Sequence, residues 1–336
     1  MQCAMRFPTT SLLVLAATAV LQAQQAGPPR RIGVFFWHDS PNDLATLSGI
    51  QKGLQESGMP HELLDRRADS DRQKAATALQ ELRAANCDLV FALGTQATLL
   101  AKEAITDVPI VFAAVSDPVA SGIVADWGGS HGKLCGASNW LGPRNVLDVF
   151  RLAVPNLKNL GVLRSEDGGV VSAAELATMR NHLAGGGAPG LTVHEEVTKN
   201  AAGIEEAVQR LLLRGVDAIW VPIDITIYQN LTAVNRGLGG RTVPLLTTAA
   251  AGVRNGAHVG AVVDYTLHGR RAALLAIDVL VRGRDPGTLP IDRMQNTLVT
   301  VNLAAARRAK IELPLSLLAV ADDLLDAEAG RDGKPR

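Results

Sequence analysis

Apolar runs of strand length alternate along this chain with stretches whose apolar residues recur every three or four positions. Ile32–Trp37 is the first run, and Leu44, Leu47, Ile50 and Leu54 follow at helical spacing up to Gly58. Ser70 is placed to N-cap a helix reaching Asn86. Asp88–Leu93 is a second apolar run stopped by Gly94, Gln96–Ile105 a short helix, and Pro109–Val115 another strand. The pattern then starts again. Helices are predicted over Asn145–Val154, Ala173–Leu183, Ile204–Arg214 and Tyr228–Leu238, with strands over Leu160–Leu163, Leu191–Val197, Ala218–Pro222 and Pro244–Thr247 between them. A strand over His258–Val263, a long amphipathic helix over Tyr265–Arg282, a strand at Leu298–Val301 and a helix at Leu303–Ala309 complete the series.

Strands that read as unbroken apolar runs between helices belong to parallel sheets covered on both faces. The expected fold is therefore α/β, with two doubly wound parallel-sheet lobes joined by a hinge. Lobe 1 is expected over 30–138 with part of 265–295, and lobe 2 over 139–263 with part of 296–325. Residues 326–336 read as a polar, flexible tail. Open sheets of this kind bind ligands outside the carboxyl ends of their strands, so the residues just after each strand are where chemistry is expected.

Composition narrows the classes. With 33 basic and 33 acidic side chains the formal net charge is zero, which argues against nucleic acid as a partner and leaves no polybasic membrane patch. Aromatic residues are only 4%, so the core must be aliphatic and alanine-rich. Arg6 followed by the apolar run Ser11–Leu21 and small residues reads as a signal peptide over 1–23, with cleavage after Ala23, or alternatively after Ala19 or Ala26, and export to the periplasm. No later segment approaches the ~18 uninterrupted apolar residues of a membrane span. Cys3 would leave with the signal; Cys87 and Cys135 read as buried free thiols, although an oxidising compartment also allows a disulfide.

The loop His38–Asp43 offers Ser40 and Asn42 as ligand contacts, against the plainer reading of a turn with a helix cap. Thr95 stands at a helix start, where a hydroxyl and free N–H groups suit a carboxylate, or where it simply caps the helix. Ser116 and Asp117 precede the turn-fixing Pro118, and Asp117 is placed to pair an ammonium or to cap. In the second half the candidates are Ser165 beside Glu166, Asp224 with Thr226, and Asp264. A carboxylate ending an apolar strand is costly unless it meets a cation or a cap.

Two strings tempt toward enzymes. Gly128–Gly132 matches a nucleophile elbow, but a polar loop precedes it and a strand-like stretch follows, the wrong context. Gly185–Gly190 matches a dinucleotide glycine pattern but lies after a helix and before a strand. No Walker loop and no zinc-type Cys/His spacing occur, so neither catalysis nor a cofactor nor a metal is expected.

Several blocks, in order, are similar to one family. They are Leu93-Gly94-Thr95-Gln96-Ala97, the stretch Pro109–Val119 with its Ser116-Asp117-Pro118 core, Pro155–Leu163, Val216–Asp224, Asp264-Tyr265 with Gly269-Arg270, and Val301-Asn302 with Ala305-Ala306. Over about Arg31 to Leu325 the chain resembles the ABC transporter substrate-binding proteins of the tryptophan/tyrosine type. The resemblance implies a type I periplasmic-binding fold that closes about its hinge on an amino acid or related molecule in the interlobe cleft. It implies Thr95, Gln96, Ser116, Asp117, Asp224 and Asp264 as the binding set. It implies a monomer that serves an ABC permease and its ATPase; the alternative is a sensory protein presenting ligand to a membrane kinase or chemoreceptor. The chain departs from the family at Arg164-Ser165-Glu166, where Tyr-Asn-Pro is common, at Asp224-Ile225, where Asp-Asn is common, and at Ser40-Pro41, where a His-Pro pair is usual.

Overall fold

The computed structural model describes residues 28–166, 169–294 and 297–326. The expected signal peptide and all but the first residue of the expected tail lie outside them. In chain order the elements are β1 (Arg30–Phe36), α1 (Pro41–Glu56), β2 (His61–Arg67), α2 (Arg72–Ala84), β3 (Leu89–Leu93), α3 (Thr95–Ala104), β4 (Ile110–Val115) and β5 (Leu134–Ser138). There follow α4 (Pro143–Ala153), β6 (Asn159–Ser165), α5 (Gly169–Ala184), β7 (Thr192–Thr198), α6 (Ile204–Leu213), β8 (Ala218–Val221), α7 (Ile225–Gln229), α8 (Leu231–Leu238), β9 (Leu245–Thr247), α9 (Ala250–Asn255) and β10 (Val259–Val262). The chain ends with α10 (Tyr265–Leu280), β11 (Asp292–Arg293), β12 (Leu298–Asn302), α11 (Leu303–Arg308), α12 (Leu315–Ala319) and β13 (Asp323–Leu325).

Two compact units result. Unit 1 comprises the chain up to Asn139 plus Tyr265–Arg293, and unit 2 comprises Trp140–Asp264 plus the chain from Met294. Unit 1 holds a six-stranded sheet in the order β11-β5-β4-β3-β1-β2, every pair parallel. Because side chains alternate across a strand, Ile32, Val34 and Phe36 of β1 and Leu89, Phe91 and Leu93 of β3 pack against α1 and α10. Phe35, Val90 and Ala92 face α2 and α3 on the other side. Both faces are apolar, which is why these strands read as unbroken runs.

Unit 2 holds a seven-stranded sheet in the order β13-β12-β10-β9-β8-β6-β7. Leu160, Val162, Trp220 and Leu246 meet α4 and α5 on one face. Leu163, Ile219 and Val221 meet α6 and α8 on the other. Two parallel-sheet α/β units are thus present as expected, with one exception: β12 runs antiparallel to β10.

Local differences from the sequence reading have physical causes. The strand β2, with sequence HELLDRR, escaped notice because it is an edge strand whose charges face water, the usual protection of an edge. The cap of α2 is Asp71, which accepts from the Lys74 N–H at 2.8 Å; Ser70 sits in left-handed backbone at φ 61° and donates its N–H to the Trp37 carbonyl. The helix expected over Tyr228–Leu238 starts earlier, at Ile225, and is broken at Asn230, whose side chain donates to the Thr226 carbonyl at 2.8 Å. Cys87 and Cys135 are free and buried, and burial pushes the Cys135 thiol up to about 12.

The closest helix contact in unit 1 depends on glycine. A Cβ at Gly269 of α10 would stand 2.0 Å from the Thr46 carbonyl oxygen of α1, and one at Gly49 of α1 would stand 2.0 Å from the Thr266 carbonyl oxygen. Backbone meets backbone there, so no side chain can yield.

Candidate functional site

In unit 1 the ends of β4, β3 and β1 lie side by side, because these strands are parallel neighbours. Three of the expected loops therefore share one edge. After β1, Ser40 caps α1: its hydroxyl accepts from the Asp43 N–H at 3.1 Å and donates to Asp43 Oδ2 at 2.6 Å. Asp43 is buried, and burial pushes its carboxyl above the ordinary value. Asn42 is exposed on the first turn of α1.

After β3 the chain turns through Gly94 at φ 91°, a conformation open to glycine. Gly94, not Thr95, is the N-cap of α3, and no side chain caps that helix. Thr95 and Gln96 are half-buried in the first turn, and neither side chain has a hydrogen bond among the described residues. After β4, Asp117 accepts from the Val119 and Ala120 N–H groups at 3.1 and 2.9 Å and so closes a turn. Ser116 beside it is half-buried, and its carbonyl accepts from the Ser138 hydroxyl at 2.6 Å.

The sequence reading missed what shapes that last loop. Ala114 lies at φ 56°, where the β4–β5 register shifts between Phe112 and Val115. Its N–H donates to Nε2 of buried His268 on α10 at 2.9 Å. Burial pushes the His268 ring down to about 4, so the neutral ring accepts this bond. A histidine three residues into a long helix was the available signal, but nothing in its spacing pointed to a strand end 154 positions away.

In unit 2, Ser165 at the end of β6 and Asp224 after β8 meet directly, since β6 and β8 are neighbours. Both are fully buried. Asp224 Oδ2 accepts from the Ser165 N–H at 2.6 Å, and Oδ1 accepts from the Ser165 hydroxyl at 2.9 Å and the Ile227 N–H at 3.1 Å. Asp224 therefore braces two strand ends and caps α7, with its oxygens already occupied. Thr226 is half-buried within α7 and Asp264 half-buried after β10, two strands further along the sheet.

A second polar group at this edge went unread. Glu175 of α5 reaches the β8 end, where Oε2 accepts from the Ile223 N–H at 2.7 Å. Burial pushes its carboxyl up to about 7, against the opposing pull of that bond and of the Thr248 hydroxyl. Thr248, after β9, and Trp220 of β8 lie beside it around a small cavity. The available signal was a glutamate on the apolar face of its helix, one turn from Met179 and Ser172, both of which are buried.

Known proteins are similar over the same span. The family model described as ABC transporter substrate binding protein matches residues 31–325. A tyrosine-binding protein of Clostridioides difficile (strain R20291) is 23% identical over 277 residues, covering 81% of this chain and 79% of that protein. A structure of the ABC domain in complex with L-Trp from Streptococcus pneumonia is 26% identical, with a TM-score of 0.66, over 88% of this chain and all of that one. The ligand-free, open structure of a substrate binding protein with adhesive properties from Clostridium difficile shares the fold at a TM-score of 0.77 and 22% identity, over 85% and 96% of the two chains. Two parallel-sheet units, hydroxyl and carboxylate residues gathered at their strand ends and a family match spanning both units lead to one conclusion: the chain belongs to the ABC transporter substrate-binding protein family.

Proposed function

We propose that this protein is the extracytoplasmic receptor of an ABC importer and binds an aromatic amino acid without transforming it. Of the relatives described above, one is named as tyrosine-binding and another is in complex with L-Trp. The observation that carries the reading is the start of α3. Its first N–H groups have no side-chain cap, and the Thr95 and Gln96 side chains are unspent beside them. Such a helix start suits the carboxylate of an amino acid, through its N–H groups and its dipole.

In this reading Ser40, Asn42, Ser116 and Asp117 line the same edge of unit 1, and Ser165, Thr226 and Asp264 line that of unit 2. Asp224 acts through Ser165 and α7, because its own oxygens are taken. The ligand is shared between the two edges in the interlobe cleft and stabilises the closed form, which the permease and its ATPase recognise. Synthesis with a signal peptide and action as a periplasmic monomer belong to the same proposal.

Thermal denaturation against a panel of amino acids, nucleosides and sugars tests it. An aromatic amino acid at 100 times its dissociation constant should stabilise the protein by about 2.7 kcal/mol. A panel in which no amino acid shifts the melting temperature refutes the reading. Consumption of the bound compound by purified protein refutes the non-catalytic role.

A further inference from the structure

The unit 2 sheet carries a cavity of about 490 Å³ at its amino edge, a volume within the range of small-molecule sites. Its walls come from α8, the loop before β9, the ends of α9 and α11, and His258 just before β10. It therefore lies across the sheet from Ser165, Asp224 and Asp264, which follow their strands. Three cations line it, Arg241, Arg308 and Lys310, with the uncharged polar side chains of Thr232 and Asn235. No aspartate or glutamate lines it among the described residues.

Cations near helix ends ordinarily serve the last carbonyls and the negative end of the dipole. Here the backbone has taken those carbonyls. The Gly239 and Arg241 N–H groups donate to the Arg236 and Leu238 carbonyls at the end of α8, and the Gly256 N–H donates to Val253 at the end of α9. The Ala309 and Lys310 N–H groups do the same for Ala305 and Arg307 of α11. The Arg241 and Lys310 side chains are exposed, and neither has a hydrogen bond or ion pair among the described residues. Burial, and after it the charge of Arg308, push the His258 ring down to about 4, so the ring is neutral. Its Nδ1 accepts from the Leu245 N–H at 2.8 Å, which leaves the proton on Nε2 as a further donor. A recess lined by one sign of charge concentrates ions of the other. Guanidinium forks and an ammonium are the side chains that hold oxyanions. A zwitterionic amino acid has no net charge and would bring its own ammonium against these cations, so the cavity calls for a different ligand.

We propose that this cavity is a second binding site, which takes a small organic anion bearing two or more negative charges through Arg241, Arg308 and Lys310. Phosphate esters and polycarboxylates share that chemistry. The site does not rest on the amino-acid reading above, because it uses the opposite edge of the sheet.

Titration calorimetry of the full mature chain at fixed ionic strength tests it, with pyrophosphate and citrate as probes. The wild type should bind at least one of them saturably at a single site. Arg241→Gln combined with Lys310→Gln should weaken that binding about tenfold or more, because two charge-assisted contacts are lost. Both side chains are exposed, and Arg241→Gln alone serves if the double variant does not fold. Lys52→Gln removes an exposed cation from α1 and controls for net charge; its affinity should stay within about twofold of wild type. Tighter binding of pyrophosphate supports the site and assigns it to phosphate esters, and tighter binding of citrate supports it and assigns it to polycarboxylates. No saturable binding of either probe overturns the inference. So does binding that survives the double substitution, or that falls equally in Lys52→Gln. None of these outcomes decides the amino-acid reading, which the thermal panel tests separately.

Discussion

Replacing Gly269 with alanine tests the packing that holds unit 1 together. The added Cβ would lie 2.0 Å from the Thr46 carbonyl oxygen and 2.9 Å from the Ile50 amide nitrogen. Ordinary carbon–oxygen contact needs well over 3 Å, so α1 and α10 must separate by roughly 1 Å or more. That separation lifts Ile50 and Leu54 of α1 and Ala272 and Ala276 of α10 from β1 and β3, where all four are fully buried. Overpacking of a core costs about 1–3 kcal/mol, and contact with backbone rather than a movable side chain places this site at the upper end. Alanine returns about 1 kcal/mol through its better helix propensity. The expected net loss is therefore about 2 kcal/mol, a fall in melting temperature of roughly 3 °C for a protein of this size. Gly185→Ala is the control, because its Cβ meets nothing closer than 3.5 Å, and a change within about 0.5 kcal/mol is expected there. Scanning calorimetry of both variants decides the matter. If Gly269→Ala melts at or above the wild-type temperature, the two helices are not held by a glycine-dependent backbone contact. Gly49→Ala, whose Cβ meets the Thr266 carbonyl oxygen, should combine with it less than additively, since helices already separated have made room.

Other expectations concern buried polar groups. The Glu175 carboxyl titrates near 7 in the fold against 4.5 when solvated, so the folded state holds the extra proton between those values. The stability it contributes therefore falls as pH rises from 4.5 to 7, by on the order of 3 kcal/mol. Urea melts of Glu175→Gln should lack this component, and a variant whose pH dependence overlays wild type contradicts the assignment. His258 and His268 are each pushed down from 6.5 to about 4 by burial, and each accepts a backbone N–H, from Leu245 at 2.8 Å and from Ala114 at 2.9 Å. The unfolded chain takes up those protons first, so stability drops as pH falls from 6.5 to 4; His258→Gln should make acid unfolding followed by circular dichroism less steep, and an unchanged profile counts against the idea. Asp224→Asn turns an amide N–H toward donors on Ser165 or Ile227 and should cost roughly 1–3 kcal/mol in a denaturant melt. Wild-type stability in that variant would mean the carboxylate is not the brace described.

Much of the architecture was legible from local pattern. Leu89–Leu93 and Ile110–Val115 are apolar on both faces, and that alone identified buried parallel strands between helices. The strand-end rule then pointed to Ser40, Thr95, Ser116, Ser165 and Asp224 without any knowledge of contacts. Periodicity reports how each element is buried; it does not report how each oxygen is spent. Asp224 looked like a carboxylate awaiting a cation. Its partner is the residue 59 positions earlier, brought to it only when β6 and β8 pair. Glu175 drew no reading from the sequence, and only the fold of unit 2 sets it beside Trp220 and Thr248. The reversed direction of β12 and the charged edge strand β2 are likewise pairing decisions, and pairing joins residues distant in sequence. Sequence by itself determined which segments must be buried and which loops face the strand ends. Tertiary structure decided which polar groups at those ends satisfy one another and which remain unspent, because hydrogen bonds depend on distances that no local pattern contains.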